Sequence, residues 1–217
     1  MPRRELAAQI DKLVELGYPE LLGAEPAGFR AALEPLGERL PDTAAAGAGA
    51  ARPTGSDGHL GVVLVIDSPT VTPEKLLSSI SRRGLQAVEQ LYPRKPLDFT
   101  PMDSVDLPGG EAYLLLDVDR GAATLNVTPD DAFESISAAG RSPLTIAEGL
   151  ALLTHYPEFL QPNNCFSLLA SRAGDKRVPA LWLSERRPKL GWCWAGNPHT
   201  WLGSASCGAR VGAGVAF

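Results

Sequence analysis

The stretch from Pro41 to Gly58 contains no aliphatic side chain larger than alanine, and almost all of its residues are Ala, Gly, Pro, Thr, Ser or Asp. Such a segment buries too little apolar surface to offset the entropy lost when a chain becomes ordered. We therefore predict a flexible linker over residues 41–59. It divides the chain into an N-terminal segment, residues 1–40, and a folded α+β domain, residues 60–217.

The N-terminal segment carries apolar residues at helical spacing in two places. The first set is Leu6, Ile10, Leu13 and Val14, and the second is Phe29, Leu33 and Leu36. Gly17 supplies a stop signal after the first set. Pro35 is expected to shorten or kink the second helix, because proline removes a backbone hydrogen bond. The pattern predicts a helical hairpin.

Two apolar runs, Leu60–Ile66 and Ala112–Val118, predict central strands of the folded domain. A short strand over residues 124–127 is predicted to form a hairpin with the second of them. Helices are predicted where a threonine can cap a first turn, after Thr72, Thr128 and Thr145.

Three short strand-like runs close the chain, Cys165–Ala170, Val178–Leu183 and Leu190–Trp194, and turn-rich residues separate them. They predict an antiparallel meander. The whole pattern favours the α+β class, with a mixed, largely antiparallel sheet, helices on one face and the N-terminal helical hairpin.

The composition excludes several classes of protein. Of the 217 residues, 44% are hydrophobic and 21% are charged, which is typical of a globular chain. The formal net charge of -5 disfavours nucleic acid as a partner. No apolar run reaches the roughly 18 residues of a membrane span, and the first residues do not resemble a signal peptide. We expect a cytoplasmic protein that does not bind a membrane.

The three cysteines, Cys165, Cys193 and Cys207, show no C-x-x-C spacing, so the sequence predicts neither a disulfide framework nor a metal site. The common nucleotide-binding, hydrolase and metalloprotease motifs are absent as well, and no cofactor is predicted. Cys193 lacks an evident neighbouring base and is predicted to be a buried, inert thiol rather than a nucleophile.

The segment from Lys189 to Gly208 holds the densest collection of functional residue types, including three of the four tryptophans. Aromatic walls with a few polar groups are typical of a small-ligand pocket. The candidate substrate-binding residues here are Trp192, Trp194, Asn197, Trp201, Ser204 and Ser206. The alternative is that the tryptophans cover a sheet edge and the remaining residues form turns.

Residues 171–210 carry seven basic and two acidic residues, a local charge of +5, so the rest of the chain carries -10. This clustering favours binding of a small anionic group such as sulfate, phosphate or carboxylate. Arg187, Lys189 and Arg210 are the candidate residues. Each could equally be a solvated side chain or could protect a sheet edge.

Three residues are candidates for proton transfer. His199 lies in the dense segment and titrates near neutral pH, although a histidine bound to a turn carbonyl is an equally good interpretation. Asp117 and Asp119 alternate at the end of a predicted strand, so they could share a face and act as an acid–base pair or bind an ammonium group. Aspartates at strand ends are more often turn formers.

Four segments resemble an actinobacterial domain family of unknown function: Ala112–Val118, Arg141–Gly149, Pro179–Trp182 and Lys189–Ser206. A further resemblance is to the small two-protein complexes that form aziridine rings by sulfate elimination in the biosynthesis of azinomycin-type antibiotics. That resemblance implies a biosynthetic enzyme, or an enzyme subunit with a small protein partner in a heterodimer.

Ring closure requires an unprotonated amine and a stabilised anionic leaving group, roles that His199 or an aspartate and the basic segment could fill. The sequence thus predicts an enzyme acting on a small anionic, amine-bearing substrate. The alternative is a non-catalytic protein that binds a small ligand or stabilises a partner. In the partner case we expect Trp192, Trp194 or Trp201 to be exposed.

Overall fold

The computed structural model describes residues 2–41 and 55–217, so most of the predicted linker lies outside the described residues. The helices are α1 (Pro2–Glu15), α2 (Tyr18–Leu21), α3 (Pro26–Glu38), α4 (Pro73–Ser79), α5 (Pro129–Ala138) and α6 (Ile146–His155). Single 3-10 turns span Pro96–Asp98, Ala122–Thr124 and Pro157–Phe159. Among the described residues, no helix is long and apolar enough to cross a membrane.

The longer strands are β1 (His59–Ile66), β6 (Ala112–Asp119), β10 (Arg177–Ser184), β11 (Arg187–Trp194) and β13 (Ser206–Gly212). The shorter ones are β2 (Ser81–Arg82), β3 (Leu85–Gln86), β4 (Val88–Glu89), β5 (Thr100–Pro101), β7 (Ser142–Pro143), β8 (Cys165–Ser167), β9 (Ser171–Arg172) and β12 (Leu202–Ser204). Helices and mostly antiparallel strands confirm the α+β class.

The strands are divided between two main sheets rather than gathered in one. The first sheet is antiparallel, in the order β1-β6-β13-β7. The second is mixed, in the order β12-β8-β10-β11-β4, and it contains the predicted meander β8-β10-β11. Two further pairs, β2-β3 and β5-β9, form small ribbons. The meander prediction is confirmed. The chain after β8 leaves this sheet and forms β9, which pairs with β5.

The free edge of β1 is covered by side chains instead of by another strand. The amide of Gln9 on α1 donates to the carbonyl of Val62 and accepts from the backbone N–H of Leu64, at 3.0 and 2.7 Å. His155 Nε2 lies 2.9 Å from the carbonyl of Leu64. These contacts satisfy backbone groups at the strand edge. The N-terminal helices thereby share a hydrophobic core with the first sheet.

Two local predictions were wrong. Helix α3 continues through Pro35 and is 13 residues long, so the proline does not shorten it, and the alternative of a kink stays a prediction. Residues 122–127 form a 3-10 turn and a loop instead of a strand, because Gly121 and Asn126 have positive φ values of 92° and 61°. The segment folds back so that Thr124 Oγ1 accepts a hydrogen bond from the backbone N–H of Ser204 at 2.8 Å.

Candidate functional site

Arg210, predicted to bind an anionic group, is buried and bound to a carboxylate of the protein itself. Its Nε and Nη2 lie 2.6 and 2.8 Å from the two carboxylate oxygens of Glu148. Its Nη1 donates to Ser142 Oγ at 2.5 Å, and Nη2 also donates to the carbonyl of Pro143 at 2.7 Å. The side chain is only 6% exposed. Its guanidinium is therefore used within the fold.

Trp192 and Trp194 pack around Arg177 of the neighbouring strand. Their ring centroids are 4.9 Å apart, and the guanidinium lies 4.6 Å from one ring and 4.9 Å from the other. Asp175 binds this arginine at 2.6 Å and Arg94 at 2.7 Å, and the Arg94 hydrogen bond above all lowers the pKa of Asp175 to about 2. A cation over the face of an indole ring is a stabilising contact, so this Trp–Arg stack contributes to the packing of the fold. Trp194 nevertheless remains 41% exposed.

His199 and Trp201 form a separate aromatic group. The His199 ring is half-buried, with its centroid 5.4 Å from that of Trp201, which in turn contacts Trp182 at 6.4 Å. The carbonyl of His199 accepts a hydrogen bond from the backbone N–H of Asn126 at 2.8 Å. This backbone contact joins the β11–β12 connection to the loop after β6.

Asp117 and Asp119 bind different partners and do not form a pair. Asp117 has a positive φ of 53°, which interrupts the strand alternation, and its carboxylate accepts from Arg141 Nη1 at 2.5 Å. Asp119 lies 3.2 Å from His59 Nδ1 and accepts from the backbone N–H of Gly121 at 2.5 Å. The Asp119 contact to Gly121 is the turn-forming role that competed with the catalytic interpretation.

The remaining predicted residues also have structural contacts or lie apart. Ser204 and Ser206 are buried, and Ser206 Oγ accepts from Arg141 Nε at 3.0 Å. Arg187 donates to the carbonyl of Gln86 at 3.2 Å, Lys189 is half-buried on β11, and Asn197 is exposed. The predicted residues of the C-terminal segment are therefore distributed among several places and do not converge on one recess.

The three cysteines are free and buried. Burial raises the pKa of each thiol, for Cys207 to about 11, so at neutral pH they are protonated and poor nucleophiles. Within residues 2–41 and 55–217, no three His, Cys, Asp or Glu side chains come together as a group that could hold a metal ion.

A cleft of about 330 Å³ lies at the end of β1, and none of the residues predicted to bind substrate or to transfer a proton lines it. Its apolar lining residues are Pro69, Val71, Pro73, Leu76, Pro96, Leu97, Phe99, Pro101, Leu107, Ile146 and Ala147. Its polar lining residues are Asp67, Ser68, Thr72, Thr100 and Thr145. Apolar walls with a few polar groups are characteristic of small-molecule sites, and the volume suits a small ligand. We call this the Asp67 cleft.

Asp67 is the one charged residue among the described lining of the cleft. Its backbone N–H donates to the carbonyl of Glu111 at 2.9 Å, which extends the β1–β6 ladder by one residue. Asp67 is exposed. Its carboxylate has no hydrogen-bond or ion-pair partner among the described residues. Partial burial, and secondly the charge of Glu148, raise the pKa of Asp67 above its usual value. A free carboxyl with a raised pKa in a cleft is typical of a functional group.

A second cavity, of about 530 Å³, lies between α1 and the end of α6. Several of its polar side chains are bound to neighbouring groups: Lys12 donates to the carbonyl of His155 at 3.0 Å, and Tyr156 Oη receives from Gln9 and donates to Glu5. The buried Nδ1 of His155 has no hydrogen-bond partner among the described residues. Burial lowers the pKa of His155 to about 3, so that ring is neutral. These groups hold α1 against α6, and the Asp67 cleft is the stronger candidate site.

Asp67 was not among the predicted site residues; it directly follows the apolar run Leu60–Ile66. A signal was present, because a carboxylate directly after a mostly apolar strand is placed at the end of a sheet. The residues that enclose it, around Pro96–Pro101 and Ile146, are distant in sequence and carry no recognisable motif. Local pattern therefore could not show that Asp67 faces a cleft.

Comparison with protein-family models places residues 12–213 in DUF5701, a family of unknown function. The chain belongs to this family. The match spans the last turn of α1, both main sheets and every residue of the Asp67 cleft. No curated protein and no solved structure shows a significant match to the chain.

Proposed function

We propose that this DUF5701 protein binds a small, mainly apolar molecule that carries an amine, and that Asp67 accepts the amine proton. The observation that carries the proposal is the unpartnered carboxyl of Asp67 in an otherwise apolar cleft. An ammonium group bound there would form a charge-assisted hydrogen bond with the carboxylate. Hydrogen bonds to charged groups contribute about 1.5–3 kcal/mol.

The same surroundings favour proton transfer within the bound pair. Partial burial disfavours both charged forms, so it raises the pKa of the carboxyl and lowers that of the amine. An ammonium–carboxylate pair is thereby shifted toward a neutral amine beside a carboxylic acid. A neutral amine is a nucleophile, and this supports an enzyme in which Asp67 is the general base.

The finer prediction, aziridine formation with loss of sulfate in an actinobacterial azinomycin-type system, needs a second group for the departing anion. Asp67 supports the amine half of that reaction. The sulfate half has no equivalent support, because no Lys or Arg is among the described residues that line the cleft. A small protein partner in a heterodimer could supply the missing cation, and this remains part of the proposal.

A ligand pair that differs only in the amine tests the proposal. We expect benzylamine to bind more tightly than benzyl alcohol, by roughly 10-fold or more, if the carboxylate contact has the strength given above. In Asp67→Asn the preference should disappear while binding of the alcohol is unchanged. Asp117→Asn is the matched control, because that carboxylate is exposed and outside the cleft. No amine preference in the wild-type protein, or a preference that persists in Asp67→Asn, would contradict the proposal.

A second candidate function, partner binding through the tryptophans, is favoured by one observation. Trp194 is 41% exposed and Tyr92, whose carbonyl accepts from Trp192 Nε1 at 3.2 Å, is 88% exposed. Trp, Tyr and Arg are the residue types that dominate protein–protein interfaces. Sedimentation of the purified protein with a candidate partner tests it. A complex that Trp194→Ser disrupts supports this function, and a complex that the substitution leaves intact contradicts it.

A further inference from the structure

Behind the Asp67 cleft lies a buried carboxylate that binds four donors. Glu148 is 0% exposed, and its Oε1 accepts from Tyr113 Oη at 3.0 Å and from Arg210 Nε at 2.6 Å. Its Oε2 accepts from Arg210 Nη2 at 2.8 Å and from the backbone N–H of Thr145 at 2.7 Å. Thr145 completes a capping box at the start of α6. Each of the two carboxylate oxygens of Glu148 therefore accepts two hydrogen bonds.

The sheet register places this cluster on the same face as Asp67. Val65 is opposite Tyr113, and Leu115 is opposite Arg210. Since side chains alternate along strands, Asp67 lies two residues beyond Val65 on that face. The first turn of α6, which carries Glu148, also supplies Thr145 and Ile146 to the wall of the cleft.

We propose that Glu148 is a positioning residue for the Asp67 cleft, in which Arg210 and Tyr113 fix a negative charge behind Asp67. This inference rests on the proposed function. The charge disfavours a second negative charge on Asp67, so the carboxyl keeps its proton to a higher pH than cleft burial alone would allow. A carboxylate whose pKa is raised is a stronger base, so in its ionised form it is better suited to accept a proton from an amine.

Stability alone does not explain an ion pair at this position. Replacing a buried ion pair by apolar residues of similar size is often neutral or stabilising, because each charge loses its hydration on burial. Burial alone would lower the pKa of Arg210, and Glu148 offsets this and raises it, so the guanidinium stays charged and keeps its two hydrogen bonds to the Glu148 carboxylate. A lasting charge next to the cleft is what the positioning role requires.

Of the other titratable or charged groups on the elements around the cleft, Glu74 and Asp106 are exposed, and Glu111 and Lys75 have local partners. Glu111 of the β6 side accepts from Ser68 Oγ at 2.5 Å and from the N–H of Phe217 at 2.8 Å. Lys75 on α4 donates to the carbonyl of Thr70 at 2.8 Å. Tyr113 is neutral, because burial and then Glu148 raise its pKa well above its usual value. Glu148 is the neighbouring charge that acts on Asp67.

The test follows the protonation of Asp67 by carboxyl ¹³C NMR as the pH is varied. In Glu148→Gln we expect the titration midpoint of Asp67 to move to lower pH, and the pH profile of benzylamine binding to move with it. Tyr113→Phe is the control, since it removes a hydrogen bond and keeps the charge, and it should leave the midpoint in place. Glu148→Gln leaves the buried Arg210 without its counter-charge, and this can prevent folding. The double variant Glu148→Gln/Arg210→Met removes both charges, so the titration of Asp67 can be measured in a folded protein that lacks the Glu148 charge.

An unchanged Asp67 midpoint in both charge-removing variants overturns the positioning role, and so does an equal shift in Tyr113→Phe. The proposed function can fail separately. If benzylamine shows no preference for the wild-type cleft, the amine proposal is wrong, while the NMR midpoints still decide whether Glu148 acts on Asp67.

Discussion

The Asp67 cleft and the C-terminal segment from Lys189 to Gly208 differ in what their polar groups are doing. In the C-terminal segment, most of the residues that suggested a site are bound within the fold, as Ser206 is to Arg141. Arg210, just beyond it, is bound in the same way to Glu148. In the cleft a single carboxyl is left without a partner among the described residues. Functional residue types in a sequence thus point to a site only if folding leaves them unpaired.

The largest expected effect is on the free energy of unfolding, when the paired Arg210 is replaced. Arg210→Ala leaves Glu148 buried without its counter-charge, and we expect a loss of about 3–5 kcal/mol in the free energy of unfolding. Arg187→Ala is the control and should stay within about 0.5 kcal/mol, because its guanidinium makes one contact near the surface. Urea unfolding measures both. If Arg210→Ala kept its stability, Arg210 would be free for a ligand, and the contrast between the two regions would fail.

A smaller effect is expected for the Trp–Arg stack. Trp192→Ala removes the contacts with Trp194 and Arg177 and one hydrogen bond from a half-buried ring, so a loss of about 1–2 kcal/mol is expected. The affinity for benzylamine should not change, which isothermal titration calorimetry can show. A loss of affinity without a loss of stability would return the ligand site to the tryptophans.

The pH dependence of stability should have opposite signs in the two regions. The folded pKa of Asp67 is raised, so the wild-type protein loses stability as the pH rises through that pKa, and Asp67→Asn becomes the more stable protein at neutral pH. The folded pKa of Asp175 is lowered to about 2, chiefly by Arg94, so this carboxylate stabilises the protein above its unfolded pKa and the benefit is lost as the pH falls toward 2.

Thermal unfolding of both variants at pH 3 and pH 7 measures these signs. At pH 7 we expect a higher Tm for Asp67→Asn and a lower Tm for Asp175→Asn, with both differences smaller at pH 3. A lower Tm for Asp67→Asn at pH 7 would mean that the carboxylate has a stabilising partner and is not a free group.

The smallest effect is expected at the residue with the most suggestive chemistry. His199→Ala should change stability by about 0.5 kcal/mol or less, because its described hydrogen bond is made by the backbone carbonyl, which alanine keeps. Binding of benzylamine should be the same as in the wild-type protein. A 10-fold loss of affinity would instead place His199 in the ligand site.

Much of the fold could be predicted from local sequence. The runs Leu60–Ile66 and Ala112–Val118 both form strands, but only the second is central, and the first lies at the edge of its sheet. The capping threonines Thr72, Thr128 and Thr145 each begin a helix as expected. The errors at Pro35 and residues 124–127 arose where tertiary contacts outweighed a local preference. The division into two sheets depends on pairings between distant segments, such as β13 with β6, that a local pattern does not contain.

The site could not be predicted in the same way. Whether Arg210 is free or paired depends on Glu148, 62 residues away, and neither residue is marked by a motif. The charge count over residues 171–210 was correct, but within that segment Arg177 binds Asp175 and Arg210 binds Glu148. Two of the clustered cations are thus paired within the fold.

The central claim is that the ligand site lies at the end of β1 and not in the C-terminal segment. Amide chemical-shift mapping of the wild-type protein during a benzylamine titration tests this most directly. We predict that the shifts concentrate at residues 67–76 and 145–147 and are absent in Asp67→Asn. Shifts concentrated at residues 189–206, with the β1 end unaffected, would contradict the account.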